Sequence, residues 1–176
     1  MKKSKKLFFL LPVLLFCSIA PAQNMYMKIK GIPGESPDVQ HRDWITLAGY
    51  QQGLSSSTAS QAGGTARAAT GKTSFQDFVI MKKLDKTTPI LMQKCATGEM
   101  IPEVELEITG ADGKTLFRVV LAEVRITGVK SSSDCTPKCE TTEEVSFNYA
   151  KISWEYMDNK GGNIRAGYDL KLNKKV

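Results

Sequence analysis

The chain has 176 residues, of which 41% are hydrophobic and 24% charged, with a formal net charge of +6. This is one domain's worth, long enough to bury a core without staples, and its composition is that of an ordinary soluble globular protein. Four of the 24 Lys and Arg residues lie in the first 22 positions; without them 20 cations face 18 anions, a net of about +2, and charge then gives no argument for a nucleic-acid partner.

Residues 1–22 read as a secretory signal peptide. MKKSKK is a basic start, LFFLLPVLLF is an apolar run of ten, and Ala20-Pro21-Ala22 offers small residues before a cut between Ala22 and Gln23. The run is too short to cross a bilayer of about 30 Å, which takes roughly 20 apolar residues. Two alternatives are lipidation at Cys17, which the bulky Phe16 before it disfavours, and a true start at Met25. The remaining domain is 23–176.

The mature part reads as mainly β. MYMKIKG places Met25, Met27 and Ile29 on one face and Tyr26, Lys28 and Lys30 on the other, a short strand. GIPGESPD is a turn-rich exit. A second strand covers Trp44–Gly49, with Ile45, Leu47 and Gly49 opposite Trp44, Thr46 and Ala48, and continues through GYQQGLS. Residues 53–73, GLSSSTASQAGGTARAATGKT, have no period and nothing to pack with, so they are expected to form a long loop that is either functional or disordered until a partner covers it.

FQDFVIMKKLD resumes as a strand. A short helix follows, with Thr87 or Thr88 as N-cap, Pro89 in the first turn, and Gly98 as the stop. VELEITGADGKTLFRVVLAEVRITGV is two strands around an Asp-Gly turn, the second shifting phase near Val119–Leu121, as a bulge would. A second polar loop, 130–142, leads to VSFNYAKISWEYMD, the turn NKGGN and IRAGYDLKLNKKV. The sum is about eight strands and one side-packed helix, a β-barrel or sandwich.

Gly71-Lys72-Thr73 looks like half of a phosphate-binding loop, but position 66 holds Ala66 where the first glycine belongs. Strand rather than helix follows Thr73, so the phosphate cradle is missing. His41, the one histidine, reads as a surface or interface residue satisfying backbone groups at a strand start. Glu103, Glu105 and Glu107 read as the solvated face of a strand rather than a catalytic pair. No metal, flavin or haem pattern is present and no cofactor is expected. Cys135 and Cys139 in DCTPKCE are spaced to pair across three residues in an oxidising compartment, the alternative being two free thiols. One CxxxC and a lone histidine do not make a four-ligand zinc site. Cys95 reads as a small buried hydrophobe.

Several blocks in order resemble the Hcp (hemolysin-coregulated protein) family of type VI secretion, across Met25 to Val176. They are MYMKIKGIPGES followed by D-x-x-H at Asp38 to His41, WITLAGYQQGLSSS, FVIMKKLDKTTPILMQKCATGE, and the ending SFNYAKISWEY with GYDLKLNKK. The resemblance implies a β-barrel of two sheets with a helix at its side and no enzymatic activity. It also implies homohexameric rings that stack into a tube, a VgrG-like spike and small effector cargo as partners, and neither nucleic acid nor a membrane span. The 53–73 loop, with Leu54, Ser55, Ser56, Gly63, Gly64 and Arg67, is the first expected inter-subunit contact, because the corresponding family loop reaches beyond its own barrel. The 130–142 loop is the second. The signal peptide departs from that pattern, since tube proteins assemble in the cytoplasm. The alternative function is therefore an exported, monomeric extracellular binding module on the same barrel.

Overall fold

The computed structural model describes residues 23–56, 73–136, 138–158 and 161–176. The signal segment, Gly63, Gly64 and Arg67 lie outside them. The strands in chain order are β1 Asn24–Ile29, β2 Ile45–Gln51, β3 Leu54–Ser56, β4 Thr73–Phe75, β5 Phe78–Lys83, β6 Ile101–Thr109, β7 Thr115–Asp134, β8 Glu140–Asn148, β9 Lys151–Met157, β10 Asn163–Asp169 and β11 Lys174–Lys175. One helix, α1 Thr88–Thr97, lies between β5 and β6.

Nine strands run in the order β11-β10-β9-β7-β6-β1-β2-β5-β8, and β7 also pairs with β8. That extra pairing closes β7-β6-β1-β2-β5-β8 into a six-stranded barrel, which removes sheet edges from those strands. β9, β10 and β11 extend from β7 outside the closure, and β3 with β4 forms a separate two-stranded ribbon. The mainly β fold with one helix is what the alternating sequence patterns implied. The strand count is higher than expected partly because VSFNYAKISWEYMD breaks at Tyr149-Ala150 into β8 and β9.

Alternation places one side chain in two inside the barrel. Met27 and Ile29 of β1, Ile45 of β2, Phe78 and Ile80 of β5, and Val145 and Phe147 of β8 are buried there. The β7 interior set changes phase along the strand: Val119 and Leu121 are buried, then Val124 and Ile126. Between them Glu123 adopts φ 54°, a left-handed conformation that inserts the extra half-step. The phase change therefore sits just beyond the Val119–Leu121 stretch where the sequence suggested it. It also marks where β7 exchanges β9, paired up to Ala122, for β8, paired from Arg125.

Helix α1 starts after Thr87 with proline in its first turn and ends at Gly98, φ 65°. A left-handed C-cap costs glycine nothing, which is why the helix stops there. Leu91 is fully buried in the barrel core, worth roughly 1.5–3 kcal/mol. Cys95 is only half-buried, so it is a boundary residue rather than a core one.

Candidate interaction surfaces

The base of the β3–β4 ribbon is built from Gln52, Gly53 and Gln76. A Cβ on Gly53 would lie 2.1 Å from Gln76 Oε1, so the Gln76 side chain packs directly on the Gly53 backbone and would have to move for any larger residue. Gln76 N–H donates to Gly53 O at 3.0 Å, and Trp154 Nε1 of β9 donates to Gln52 Oε1 at 3.1 Å. Phe75 stacks on Tyr168 of β10 with ring centroids 5.2 Å apart. These contacts moor the ribbon's base to the sheet outside the barrel. Beyond the base, Leu54 is 51% exposed and pairs with Phe75, while Ser55 and Ser56 face Ser74 and Thr73, all four polar residues exposed.

The ribbon corrects part of the expectation for residues 53–73. Both ends of that stretch are strand, in register, and Thr73, the last residue of the GKT triplet, opens β4. Between ribbon and sheet runs a groove of about 490 Å³ walled by Leu54, Phe75, Trp154, Tyr168 and Val176. The Gln52 Nε2 donor at the ribbon's base is buried without a hydrogen-bond partner among the described residues.

Within 130–142, expected as a loop, residues 130–134 and 140–142 are paired strand. β7 and β8 stay paired out to Ser133 with Thr141 and Asp134 with Glu140. The reason is local: cross-strand Thr and Ser pairs, including Ser133 Oγ to Thr141 Oγ1 at 2.7 Å, zip a segment whose composition reads as coil. At its tip the Cys135 and Cys139 sulfurs lie 2.16 Å apart.

A row of charges crosses four strands in register: Glu107 of β6, Arg118 of β7, Glu155 of β9 and Arg165 of β10. Arg118 Nη2 lies 2.5 Å from Glu107, and Arg165 Nη2 lies 2.6 Å from Glu155. His41 joins the row, with Nε2 3.1 Å from Glu107 and Nδ1 2.7 Å from Asp38. Its ring stacks on Tyr26 at 4.0 Å and meets Trp44 edge-on at 5.0 Å.

Two expectations are corrected here. His41 is buried, not superficial, and it fastens the loop before β2 to β6 through side chains rather than backbone groups. Glu107 is buried as well, while Glu103 is exposed and Glu105 half-buried, so the glutamate face is wet at only one end. Burial pushes the Glu107 carboxyl up, but hydrogen bonds from Arg118, His41 and Thr115 outweigh it and hold the group below its ordinary value. Glu105 goes the other way, raised by burial that Arg118 only partly offsets. Asp38 is held low, chiefly by its hydrogen bond with the His41 ring.

A second buried cluster joins the helix to the barrel. Lys82 and Glu143, opposite each other on β5 and β8, are fully buried with Nζ to Oε2 at 2.7 Å. Lys82 also donates to Asp85 at 2.8 Å and Thr88 Oγ1 at 3.2 Å, and Thr88 Oγ1 donates to Glu143 at 2.7 Å. The cluster was missed in the sequence although a signal existed: Lys82 continues the buried phase of Phe78 and Ile80, as Glu143 does that of Val145 and Phe147. Both clusters tie elements together, and the hydroxyl–carboxylate contact in the second, Thr88 to Glu143, is buried. Among the described residues no group of three or more His, Cys, Asp or Glu is placed to hold a metal ion, and no helix is long and apolar enough to cross a membrane.

Comparison with known proteins agrees with this architecture. The model of the family described as "Type VI secretion system effector, Hcp" matches residues 26–156. Protein hcp1 of Pseudomonas aeruginosa is 31% identical over 161 residues, covering 86% of this chain and 98% of that protein. The crystal structure of Hcp1 from Salmonella typhimurium has TM-score 0.75 at 27% identity, covering 88% of this chain and 99% of the other. A structure described as that of a type six secretion system protein has TM-score 0.80, also at 27% identity, over 88% of this chain and all of its own. A barrel closed by the β7–β8 pairing, a Thr-Pro helix at its side and a family match spanning β1 to β9 lead to one conclusion: the chain belongs to the Hcp family of the type VI secretion system.

Proposed function

We propose that this chain is a non-enzymatic subunit that closes into a homohexameric ring, and that its rings stack through the β3–β4 ribbon. The observation that carries the reading is the ribbon itself. It is anchored at its base by Gln52, Phe75 and Trp154, yet Leu54, Ser55 and Ser56 leave the barrel exposed. A two-stranded ribbon with a half-exposed leucine is marginal on its own and gains by lying against another subunit. In a ring each copy presents two different faces, and the ribbon supplies one of them or the contact to the next ring. Gly63, Gly64 and Arg67, from the same stretch of sequence, are candidates for the same contact, and the β7–β8 tip is the second.

The same reading gives a VgrG-like spike at the end of a stack and small effectors in the lumen as partners. Residues 1–22 direct the chain out of the cytoplasm with a cut between Ala22 and Gln23. Native mass spectrometry of the mature chain tests the ring. A six-subunit mass is expected, and Leu54→Asp should weaken stacking or ring closure while leaving the melting temperature of the barrel in place. A mature chain that stays monomeric at the highest attainable concentration would leave the exported binding module as the function.

A further inference from the structure

The tip of the β7–β8 hairpin extends beyond the barrel. The last ladder pair that β5 makes with β8 is Lys83 with Thr142; just past it the Leu84 N–H bonds Thr141 O at 3.1 Å and Lys83 Nζ reaches Glu140 at 3.3 Å, and the tip beyond Glu140 has no such tie to the barrel among the described residues. Residues 130–136 and 138–140 are all exposed, so both Cys135 and Cys139 are open to solvent. Neither belongs to the core, whereas the third cysteine of the mature chain, Cys95, packs against it.

We propose that Cys135 and Cys139 form a thiol–disulfide exchange site for low-molecular-weight thiols of the glutathione class. The disulfide opens and closes without disturbing the barrel, and the assignment holds whether or not rings form. Three observations carry it. The sulfurs are adjacent, four residues apart in sequence, at a solvent-exposed turn. So short a loop constrains the unfolded chain by only about 2 kcal/mol, less than a longer loop would, so the fold does not depend on the bond. The arms of the tip are held in register by the Ser133–Thr141 contact and the Lys130–Glu144 ion pair, and the Thr136 N–H bond to Asp134 shapes one arm; none of these needs the sulfur bridge. The reduced cysteines therefore stay close enough to re-form it. Exposed disulfides of this kind are the exchangeable ones, in contrast to the buried bonds of secreted domains.

The step balances without an added oxidant. A thiolate attacks one cysteine sulfur and forms a mixed disulfide, while the S–S electron pair leaves on the other cysteine as thiolate and takes a proton from water. A second thiolate displaces the adduct, releasing the oxidised small thiol and leaving both cysteines reduced. What changes is the concavity of about 420 Å³ at the tip, lined by Ser132, Asp134, Thr136, Lys138, Glu140 and Thr142. The site thereby gives the projecting hairpin one form in a thiol-rich compartment and another outside the cell.

The test equilibrates the full mature protein in reduced and oxidised glutathione mixtures, quenches with a maleimide and reads intact mass and peptide maps. The expected result is complete opening at millimolar reduced glutathione and a glutathionyl adduct on Cys135 or Cys139 but not on Cys95. Amide exchange should change only within 130–142, and the melting temperature should fall by no more than about 8 °C. A Cys135→Ser, Cys139→Ser double variant should melt with the reduced protein. A pair that opens only in denaturant, that never closes under oxidised glutathione, or whose opening lowers the melting temperature by more than about 12 °C overturns the assignment.

Discussion

The Lys82–Glu143 pair should behave as a buried charge that tolerates loss of both partners far better than loss of one. In Lys82→Met the aliphatic stem is kept and the ammonium is lost. Glu143 is then left fully buried, with the Thr88 hydroxyl at 2.7 Å and the Ser131 hydroxyl at 3.1 Å as remaining donors. Breaking one partner of a buried pair costs about 3–5 kcal/mol, and the two hydroxyls favour the lower part of that range. For a domain of this size each kcal/mol is worth roughly 2–4 °C, so the melting temperature should fall by roughly 6–15 °C. Asp85 keeps its own bonds to the Thr87 N–H and hydroxyl, so the helix start survives.

Adding Glu143→Leu to Lys82→Met removes the orphaned carboxylate and should bring stability back to within about 2 kcal/mol of the parent. Urea unfolding followed by circular dichroism gives all four corners of the cycle. Protein concentration must be held constant, because any self-association shifts apparent stability. The reasoning fails if Lys82→Met costs less than about 1 kcal/mol, or if the double variant is no more stable than the single.

Acid should destabilise the protein through the charge row. The folded Glu107 carboxyl is held below its ordinary 4.5, so its contribution is present above that value and is lost as pH falls through the folded one. Glu105, raised in the folded state, contributes in the opposite sense. Urea midpoints measured below about pH 4.5 should therefore decline less steeply in Glu107→Gln than in the parent; equal slopes would remove Glu107 as a source of acid sensitivity. Gly34→Ala should destabilise by about 3 kcal/mol or more, since its Cβ would meet the Trp44 carbonyl oxygen, a backbone atom, at 2.2 Å, whereas Gly31→Ala, in open space at φ 85°, should cost only about 1–2 kcal/mol. Equal melting temperatures for the two alanine variants would contradict the close approach at Gly34.

Features that rest on local chemistry were legible in the sequence. Pro89 and Gly98 delimit α1 because a missing N–H and a left-handed φ act within one turn. Met27, Ile29, Ile45 and Leu47 alternate because a pleated strand has two faces. The β3–β4 ribbon and the outer rungs of the β7–β8 hairpin escaped because serine, threonine and glycine carry no apolar period. The hairpin's pairing is carried outward from the barrel, as the unbroken ladder from Gly128–Ser146 to Asp134–Glu140, past the register shift between Ile126 and Gly128, shows; the ribbon is a separate sheet, moored only at its base.

The charged residues divide along a different line. Lys82 and Glu143 sit on the core phase of their own strands, so alternation alone marks both as buried and, lying opposite each other, as partners. Glu107 cannot be found that way. It lies on the outward phase shared with Glu103 and Glu105, and it is buried because the loop carrying Asp38 and His41 folds over that one end of β6. A period describes a strand; covering by a loop distant in sequence is a property of the closed barrel. The D-x-x-H spacing does contain the local half of the answer, since Asp38 accepts the His41 N–H at 2.9 Å and faces its Nδ1 at 2.7 Å. The other half, Glu107 at 66 positions' remove, exists only once β1 has paired with β6 and brought Tyr26 beside it as the surface on which the imidazole lies.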